Sequence, residues 1–264
     1  ESLKLFMGAL DEPQGMILVT GPTGSGKTRT LYTALSELNK PQYNIVTVED
    51  PIEFELPGIT QVQAKAEIGF TFAAALRSIL RQDPDIIMIG EMRDHETAHI
   101  GVEAALTGHQ VLSTLHTNDA AGVVSRLIDM EIAPFLISSS LSLACAQRLP
   151  RRICASCKEP HKVPPELWEQ LHLDPKAEAQ YTYYKGRGCD RCKKKGYAGR
   201  VAVLELIRVT DSIRSLIVKR ASPGDIKQLA LKQGMRTLRM NGILKAREGI
   251  TDLSEVLADT RSDI

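Results

Sequence analysis

Short apolar runs alternate with amphipathic segments over residues 1–150 of the chain. Four of the runs are bounded by turn-forming residues, as buried strands are: 15–20, 44–48, 86–89 and 110–114. Apolar residues recur at helical spacing in three segments between these runs: 29–38, 71–81 and 95–106. Strands that alternate with helices favour a parallel sheet, so we predict the α/β class for this part of the chain.

The remaining segments have less regular patterns. Further helices are predicted at 3–10, 120–130, 134–148, 223–232, 237–248 and 253–258. One more strand is predicted at 199–205, and residues 55–69 are expected to form irregular strand and loop. The chain after the strand at 199–205 is therefore expected to be mainly helical.

A glycine-rich loop joins the strand at 15–20 to the helix at 29–38. Its residues are Gly21, Pro22, Thr23, Gly24, Ser25, Gly26, Lys27 and Thr28. Glycines allow a loop to turn its N–H groups inward around a polyphosphate, and the following helix presents its partially positive N-terminus to the same anion. The pattern predicts a phosphate-binding loop in which Lys27 contacts the β and γ phosphates and the Thr28 hydroxyl binds Mg²⁺.

Acidic residues follow two of the predicted strands. Residues 49–53, Glu-Asp-Pro-Ile-Glu, follow the strand at 44–48, and Glu91 follows the strand at 86–89. Because ligands bind at the carboxyl edge of a parallel sheet, these carboxylates are expected to face the phosphate loop. Glu53 is the candidate general base and Glu91 a candidate Mg²⁺ ligand. A solvated acidic turn is the alternative for 49–53, since Asp-Pro is ordinary turn chemistry.

Two arginines and two histidines have less specific patterns. Arg77 and Arg81 lie four residues apart and therefore on one face of the same predicted helix. A guanidinium pairs well with phosphate oxygens, but a solvated helix face explains the spacing equally well. His109 and His116 bracket the strand at 110–114, and His116 belongs at the nucleotide edge, in reach of a γ phosphate. Taken singly, each histidine is more typical of a structural role.

Composition and charge restrict the possible function classes. The chain has 264 residues, 43% hydrophobic and 25% charged, which is typical of a globular protein and not of a disordered one. The formal net charge is +1, so nucleic-acid binding would require a local basic patch. The longest segment without a charge, 132–147, is shorter than the roughly 20 apolar residues of a membrane span, and no transmembrane helix is predicted. Because Glu1 begins no signal-peptide pattern and is not Met, we expect an upstream domain to be missing.

Four of the five cysteines form two Cys-x-x-Cys pairs. The pairs are Cys154 with Cys157 and Cys189 with Cys192. Four thiolates are the number that a closed tetrahedral zinc site needs, and a nucleotide-binding loop indicates a reducing compartment in which disulfides are rare. Reduced thiols without a metal are the alternative. The segment between the pairs is expected to be a protrusion with little core of its own, and Cys145 is expected in the core of an apolar helix.

Five motifs occur together in one order along the chain. After the phosphate loop come Val-Glu-Asp-Pro-Ile-Glu at 48–53, Leu-Arg-Ser-Ile-Leu-Arg-Gln-Asp-Pro-Asp at 76–85, Gly-Glu-Met-Arg-Asp at 90–94, and Thr-Gly-His through Ser-Thr-Leu-His-Thr-Asn at 107–118. Together they resemble the secretion-type ATPases, which power type II secretion and the assembly of type IV pili. The resemblance covers nearly the whole chain, and it is specific because the motifs keep the family's order.

The resemblance implies a RecA-like P-loop core at 1–150, a four-cysteine zinc-binding subdomain at 151–198, and a C-terminal strand and helical subdomain at 199–264. It implies ATP, Mg²⁺ and Zn²⁺ as cofactors and a ring, usually hexameric, with ATP near the subunit boundaries. The family's pattern assigns roles to matching residues. These are a base (Glu53), a group that supports Mg²⁺ or the attacking water (Glu91), a γ-phosphate contact (His116) and charge-stabilising arginines (Arg77 and Arg81).

Partners and location also follow from the resemblance. The four-cysteine element is typical of type II secretion and pilus-extension ATPases, whereas retraction ATPases generally lack it. The implied partners are an inner-membrane platform and cytoplasmic adaptor proteins, with no nucleic acid and only indirect membrane contact. The implied location is cytoplasmic, at the bacterial inner membrane.

Two other function classes stay open at this point. A DNA-translocating or conjugative RecA-like ATPase would show DNA-stimulated hydrolysis, although the near-neutral charge disfavours it. A nucleotide-gated scaffold would bind ATP with little turnover, although the presence of both Glu53 and Glu91 disfavours it.

Overall fold

The computed structural model describes residues 2–260. The chain divides into two compact units. The sheet unit comprises Glu1–Ala146 with Leu206–Met235, and the cysteine unit comprises Gln147–Glu205 with Arg236–Ile264. The three domains expected from the sequence remain a prediction. The two units group the chain differently, since 206–235 belong with the phosphate loop and the last helices belong with the cysteines.

Seven strands form one sheet in the spatial order β11-β6-β1-β5-β4-β2-β3. They are β1 (Gly15–Thr20), β2 (Ile45–Glu49), β3 (Thr60–Gln63), β4 (Ile86–Ile89), β5 (Gln110–Leu115), β6 (Leu141–Arg148) and β11 (Val203–Arg208). From β6 through to β3, every neighbouring pair runs parallel. All residues of β1, β2, β4 and β5 are buried, as in parallel sheets covered by helices. The predicted α/β class is confirmed.

Twelve α-helices lie within the described residues. They are α1 (Ser2–Leu10), α2 (Lys27–Leu38), α3 (Phe72–Ile79), α4 (His95–Leu106), α5 (Gly122–Asp129), α6 (Pro134–Ser140), α7 (Pro165–Leu171), α8 (Pro175–Glu178), α9 (Asp211–Val218), α10 (Pro223–Lys232), α11 (Leu238–Arg247) and α12 (Leu253–Asp259). Side-chain caps define several starts. Asp94, for example, accepts a hydrogen bond from the Thr97 amide at 2.8 Å and begins α4 directly after the Glu91 segment.

The helix predicted over 134–148 is wrong in its second half. The helix α6 ends at Ser140, and β6 continues from Leu141 beside β1. The hydroxyls of Ser138 and Ser139 both donate to the Phe135 carbonyl, a contact that competes with regular helical bonding. The apolar run that follows is buried either as a helix or as a strand, so periodicity alone did not distinguish them. Cys145 is in the core as expected, but on a strand.

The strand predicted at 199–205 is also divided in two. Residues Tyr197–Arg200 form β10, which pairs antiparallel with β7 (Arg151–Ile153), whereas β11 joins the seven-stranded sheet. A second small sheet pairs β8 (Lys158–Pro160) with β9 (Tyr184–Gly186). The apolar alternation through 199–205 predicts strand structure, but it does not predict that the two ends of the segment pair in different sheets.

The cysteine unit has a core that the segment 151–198 shares with the last two helices. Its buried members are Leu171, Tyr183, Ile243, Ala246, Leu253 and Val256. Buried and half-buried ion pairs add to this packing. Arg247 Nε lies 3.0 Å from Glu178 Oε2, and Arg151 makes two contacts, of 2.9 and 2.6 Å, with Glu255. Four of these six residues belong to α11 and α12, so the segment between the cysteine pairs contributes little of the core, and the last two helices cover it.

Among residues 2–260, no helix is long and apolar enough to cross a membrane.

Two helical glycines provide a matched test of the packing between α11 and α12. An added Cβ at Gly242 would lie 2.9 and 3.2 Å from the γ methyl groups of Val256, whereas at Gly8 in α1 it would have no neighbour within 4 Å. Overpacking costs about 1–3 kcal/mol, and replacing a helical Gly by Ala recovers about 0.5–1 kcal/mol. We therefore expect Gly242→Ala to lower the urea midpoint of the cysteine unit and Gly8→Ala to leave it unchanged. An unchanged or raised midpoint of the cysteine unit in Gly242→Ala would contradict the packing described here.

Candidate active site and cysteine cluster

The phosphate loop turns between the buried end of β1 and the start of α2. Gly21, Gly24 and Gly26 have φ angles of 149°, 80° and 85°, which residues with a Cβ rarely adopt. The helix α2 begins at Lys27 with Gly26 at the N-cap, and no side chain caps it. Its first amide groups therefore suit an anion, because a helix N-terminus has backbone donors without intrahelical partners. The ammonium of Lys27 lies against the loop itself, 2.9 Å from the Gly21 carbonyl.

A hydroxyl network ties this loop to the segment after β5. Thr20 Oγ1 accepts a hydrogen bond from the Thr117 amide at 2.6 Å and lies 3.1 Å from the Leu115 carbonyl oxygen. The hydroxyls of Thr20 and Thr117 are 2.8 Å apart. The last residue of β1 therefore holds the backbone on either side of His116 next to the phosphate loop.

Glu91 lies at the centre of an ionic cluster at the same edge of the sheet. Its Oε1 is 2.8 Å from His116 Nε2, and its Oε2 is 2.7 Å from Arg93 Nη2. The Glu91 side chain is 17% exposed, against 47% for His116 and 70% for Arg93. Hydrogen bonding to Glu91 raises the pKa of Arg93 above its ordinary value, so this guanidinium stays charged. Sequence reasoning named Glu91 and His116 and missed Arg93, whose only signal was its place two residues after Glu91.

The backbone before Glu91 is held from both sides. The Gly90 amide donates to the Val48 carbonyl at 2.8 Å, and the Thr114 hydroxyl donates to the Gly90 carbonyl at 2.7 Å. A Cβ on Gly90 would lie 3.3 Å from the Val48 oxygen, so a glycine at this position lets the chain approach β2 closely. This close approach explains why the acid follows a glycine and does not end the strand itself.

Glu49 is a buried carboxylate that sequence reasoning did not single out. It is 2% exposed and accepts hydrogen bonds from the Tyr32 hydroxyl, from Thr47 at 2.6 Å and from Gln61 at 3.1 Å. Burial, together with the hydrogen bond to Glu49, raises the pKa of Tyr32 to about 12. Because three side chains donate to its oxygens, Glu49 holds the acidic segment in place and is not available to solvent. The Glu53 amide donates to the Tyr32 hydroxyl at 3.3 Å, and its side chain is exposed.

The remaining predicted residues lie elsewhere in the sheet unit. Arg77 pairs with Glu96, which lies in the first turn of α4, and both side chains are more than half exposed. Arg81 is exposed beyond the end of α3. His109 Nδ1 lies 3.0 Å from the Ala104 carbonyl, so this histidine has a structural contact at the opposite end of β5 from His116.

The four paired cysteines converge in the cysteine unit. Their sulfur atoms all lie within 4.8 Å of one another, with separations of 3.9 Å (Cys154 to Cys189), 3.8 Å (Cys157 to Cys192) and 3.7 Å (Cys189 to Cys192). Four sulfurs at about 2.3 Å from a central zinc ion lie about 3.8 Å apart in a tetrahedron, whereas a disulfide needs about 2.05 Å. The donor set and the spacing thus fit a tetrahedral metal ion.

Backbone groups complete this cluster. The amides of Cys189 and Gly196 donate to Cys192 Sγ at 3.1 and 3.2 Å, and the contact with the Cys189 amide lowers the pKa of that thiol. The Gly188 amide donates to Cys157 Sγ at 3.3 Å. A Cβ on Gly186 would lie 1.9 Å from the Gly196 carbonyl oxygen, so the two backbone segments meet only through glycine. Amide donors of this kind favour thiolate, the form that binds metal, whereas burial raises the pKa of Cys157.

Comparison with known proteins identifies the family. The chain matches the type II/IV secretion system proteins over residues 1–258. It belongs to that family. The prediction made from the five motifs is thereby confirmed, and this secretion-family chain has relatives in both pilus and secretion machines.

Two relatives illustrate the range. The chain is 54% identical over 267 residues to the type IV pilus assembly ATPase PilB of Myxococcus xanthus, covering 100% of this chain and 47% of the relative. It is 49% identical over 260 residues to type II secretion system protein E of Pseudomonas aeruginosa, covering 98% of this chain and 51% of the relative. The chain thus spans about half the length of these relatives.

Solved structures share the fold. The pilus retraction motor PilT with bound ADP superposes with a TM-score of 0.70 at 29% identity, covering 98% of this chain and 64% of that chain. The Legionella pneumophila ATPase DotB gives a TM-score of 0.68 at 24% identity, covering 96% of this chain and 62% of that chain, which shows the fold alone. The predicted P-loop core is confirmed by these comparisons.

The hydrogen bond between Tyr32 and Glu49 predicts a pH dependence of stability in this secretion-family chain. An unfolded tyrosine ionises near its ordinary pKa of 10.0, whereas folded Tyr32 ionises near 12. The unfolded state therefore loses the proton first, so the contribution of Tyr32 is complete below pH 10 and is lost as the pH rises towards 12. We expect the free energy of unfolding of Tyr32→Phe to fall less steeply over this range than that of the unsubstituted chain.

The control is Tyr43→Phe, since Tyr43 is 40% exposed. Other tyrosines with raised pKa values affect all three proteins equally. Equal slopes for the unsubstituted chain and for Tyr32→Phe, measured by urea unfolding at several pH values, would show that Tyr32 does not carry this effect.

Proposed function

We propose that this chain is the ATP-hydrolysing part of a ring motor that drives type II secretion or type IV pilus assembly. The observation that carries the proposal is the uncapped N-terminus of α2 in the phosphate loop, tied through Thr20 to the segment that bears His116, whose ring contacts Glu91. An anion-binding helix terminus beside a carboxylate and an imidazole offers the positioning and charge stabilisation on which phosphoryl transfer depends. The relatives named as pilus-assembly and secretion proteins support the biological setting.

The proposed roles follow from position. Lys27 leaves the Gly21 carbonyl to bind phosphate oxygens, and Thr28, on the first turn of α2, holds Mg²⁺ together with Glu91. The bound ion supplies charge neutralisation for the phosphates. Glu53 acts as the base for the attacking water, because its carboxylate is exposed whereas that of Glu49 is engaged by three donors. His116 contacts the γ phosphate. Its 2.8 Å contact with Glu91 couples phosphate binding to the position of that carboxylate.

Arginines complete the proposed site in an assembled ring. Arg77 and Arg81 are exposed and are free to face a neighbouring subunit or a phosphate, where a guanidinium stabilises transition-state charge. To do so, Arg77 exchanges its exposed pair with Glu96 for the phosphate, an exchange of low cost because surface ion pairs contribute about 0–1 kcal/mol.

The four cysteines are proposed to hold a structural Zn²⁺. The proposed setting is the cytoplasmic side of the bacterial inner membrane, where the motor contacts a membrane platform and adaptor proteins and binds no nucleic acid. Domain closure over ATP is the proposed mechanical step.

The first experiment measures steady-state Mg²⁺-dependent ATP turnover per chain against protein concentration, with and without DNA. Turnover that rises with concentration and ignores DNA supports a ring with sites near its subunit boundaries. Strong stimulation by DNA overturns the proposal in favour of a nucleic-acid motor. Tight ATP binding without turnover at any concentration favours a nucleotide-gated scaffold.

Glu53→Gln tests the base. Removing a general base typically lowers turnover by about 10²–10⁴-fold, and ATP binding should persist because phosphate contacts remain. Glu55→Gln is the matched control, since Glu55 is also exposed and lies two residues away. Unchanged kcat in Glu53→Gln would remove Glu53 from this role.

The zinc proposal predicts about one Zn²⁺ per purified chain. Cys192→Ala should lose the ion and destabilise the cysteine unit, because it removes the thiolate with two amide donors. Cys145→Ala, a substitution of the buried β6 cysteine in the sheet unit, should keep the ion. Metal content is measured by elemental analysis, and less than about half an ion per unsubstituted chain would exclude the site.

A further inference from the structure

A cavity of about 380 Å³ opens in the cysteine unit, and its lining includes neither the four paired cysteines nor any residue proposed for hydrolysis. Its walls carry the rings of Trp168, Tyr181 and Tyr183 and the pyrrolidines of Pro160 and Pro175. We call this cavity the aromatic groove. Its volume lies in the range of about 300–1,000 Å³ that is typical of ligand sites.

The rings of the aromatic groove are held in place before any ligand arrives. Trp168 and Tyr183 pack edge to face with centroids 5.4 Å apart at 73°. The Tyr183 hydroxyl donates to Glu178, and the guanidinium of Arg247 lies 4.7 Å from the centre of the Tyr181 ring. A surface already ordered in this way binds a ligand with little loss of side-chain entropy.

The charge of the groove favours an anionic ligand. Its carboxylate, Glu178, is 5% exposed and accepts from both Arg247 and Tyr183, so that charge is already compensated. His161 and Lys162 line the groove with exposed side chains, and within residues 2–260 neither side chain has a partner. An incoming carboxylate would therefore meet a free ammonium and no competing negative charge.

The shape of the groove favours an extended chain. Aromatic rings that stand beside one another form shallow apolar slots, and such slots accept the pyrrolidine rings of a polyproline II segment, whose backbone is ordered in advance. The indole N–H of Trp168 and the hydroxyl of the exposed Tyr181 can donate to its unpaired carbonyl groups, whereas the Tyr183 hydroxyl donates to Glu178. We propose that the aromatic groove binds an acidic, proline-containing segment of a partner protein. This docking requires no ATP hydrolysis and adds a contact surface to the proposed motor.

The chain has a single tryptophan, so fluorescence reports directly on the groove. The probe is a synthetic peptide of repeated Glu-Pro-Pro, added to the full chain while Trp168 emission is followed. We expect a saturable change in emission with this peptide, and a much weaker one with repeated Lys-Pro-Pro or Glu-Gly-Gly. Equal responses to all three peptides would overturn the proposal, as would a response only to vesicles of phosphatidylglycerol.

Charge reversal at one position makes the test specific. Lys162→Glu should weaken binding of the Glu-Pro-Pro peptide by about tenfold or more, as expected for the reversal of one ion pair. It should also improve binding of the Lys-Pro-Pro peptide. Lys195→Glu is the matched control, because Lys195 is exposed in the same unit and does not line the groove.

Equal weakening by Lys162→Glu and Lys195→Glu would assign the binding to overall charge and overturn the assignment to the groove. Lys27→Ala, which removes the proposed phosphate contact, should bind the Glu-Pro-Pro peptide normally. Failure of the docking proposal and failure of the hydrolysis proposal are therefore separate results.

Discussion

The parallel pairing of β1 between β5 and β6 is the constraint on which the rest of the sheet unit depends. Each residue of β1 is buried, and Thr20 at its end pairs in register with Leu115 on one side and Ala146 on the other. A slip by one residue would turn every side chain of this buried strand to the opposite face of the sheet. The register therefore fixes where β1 ends, and with it the position of the phosphate loop relative to His116.

Three acidic residues at the carboxyl edge of the sheet differ in burial and in the partners of their carboxylates. Glu49 is buried and engaged by hydroxyl and amide donors, Glu91 bridges His116 and Arg93, and Glu53 is exposed. Burial of a carboxylate is tolerated where every oxygen has a donor, as it has at Glu49. The same residue type thus organises a loop in one position and stays open to solvent in another.

The cysteine unit is stabilised in a different way, because its first segment contributes few buried apolar residues. Close glycine contacts and four converging sulfurs order one end, and α11 and α12 supply the core at the other. The ion pairs of Arg151 with Glu255 and of Arg247 with Glu178 join parts of this unit that are about 70–100 residues apart in sequence. The aromatic groove is built on this framework, and its rings share contacts with it through Glu178 and Arg247.

Local patterns in the sequence determined the α/β class, the phosphate loop, the acid after β4 and the pairing of cysteines, because each depends on residues close together in the chain. They did not determine that 141–148 is a strand, since a buried apolar run suits either state until β1 lies beside it. They also did not show that Arg93 and His116 share Glu91, that Tyr32 and Gln61 engage Glu49, or that α11 and α12 complete the cysteine unit. Apart from the local pair of Arg93 and Glu91, those relations join residues that are separated in sequence, and only the tertiary structure, through strand order and burial, brings such residues within contact.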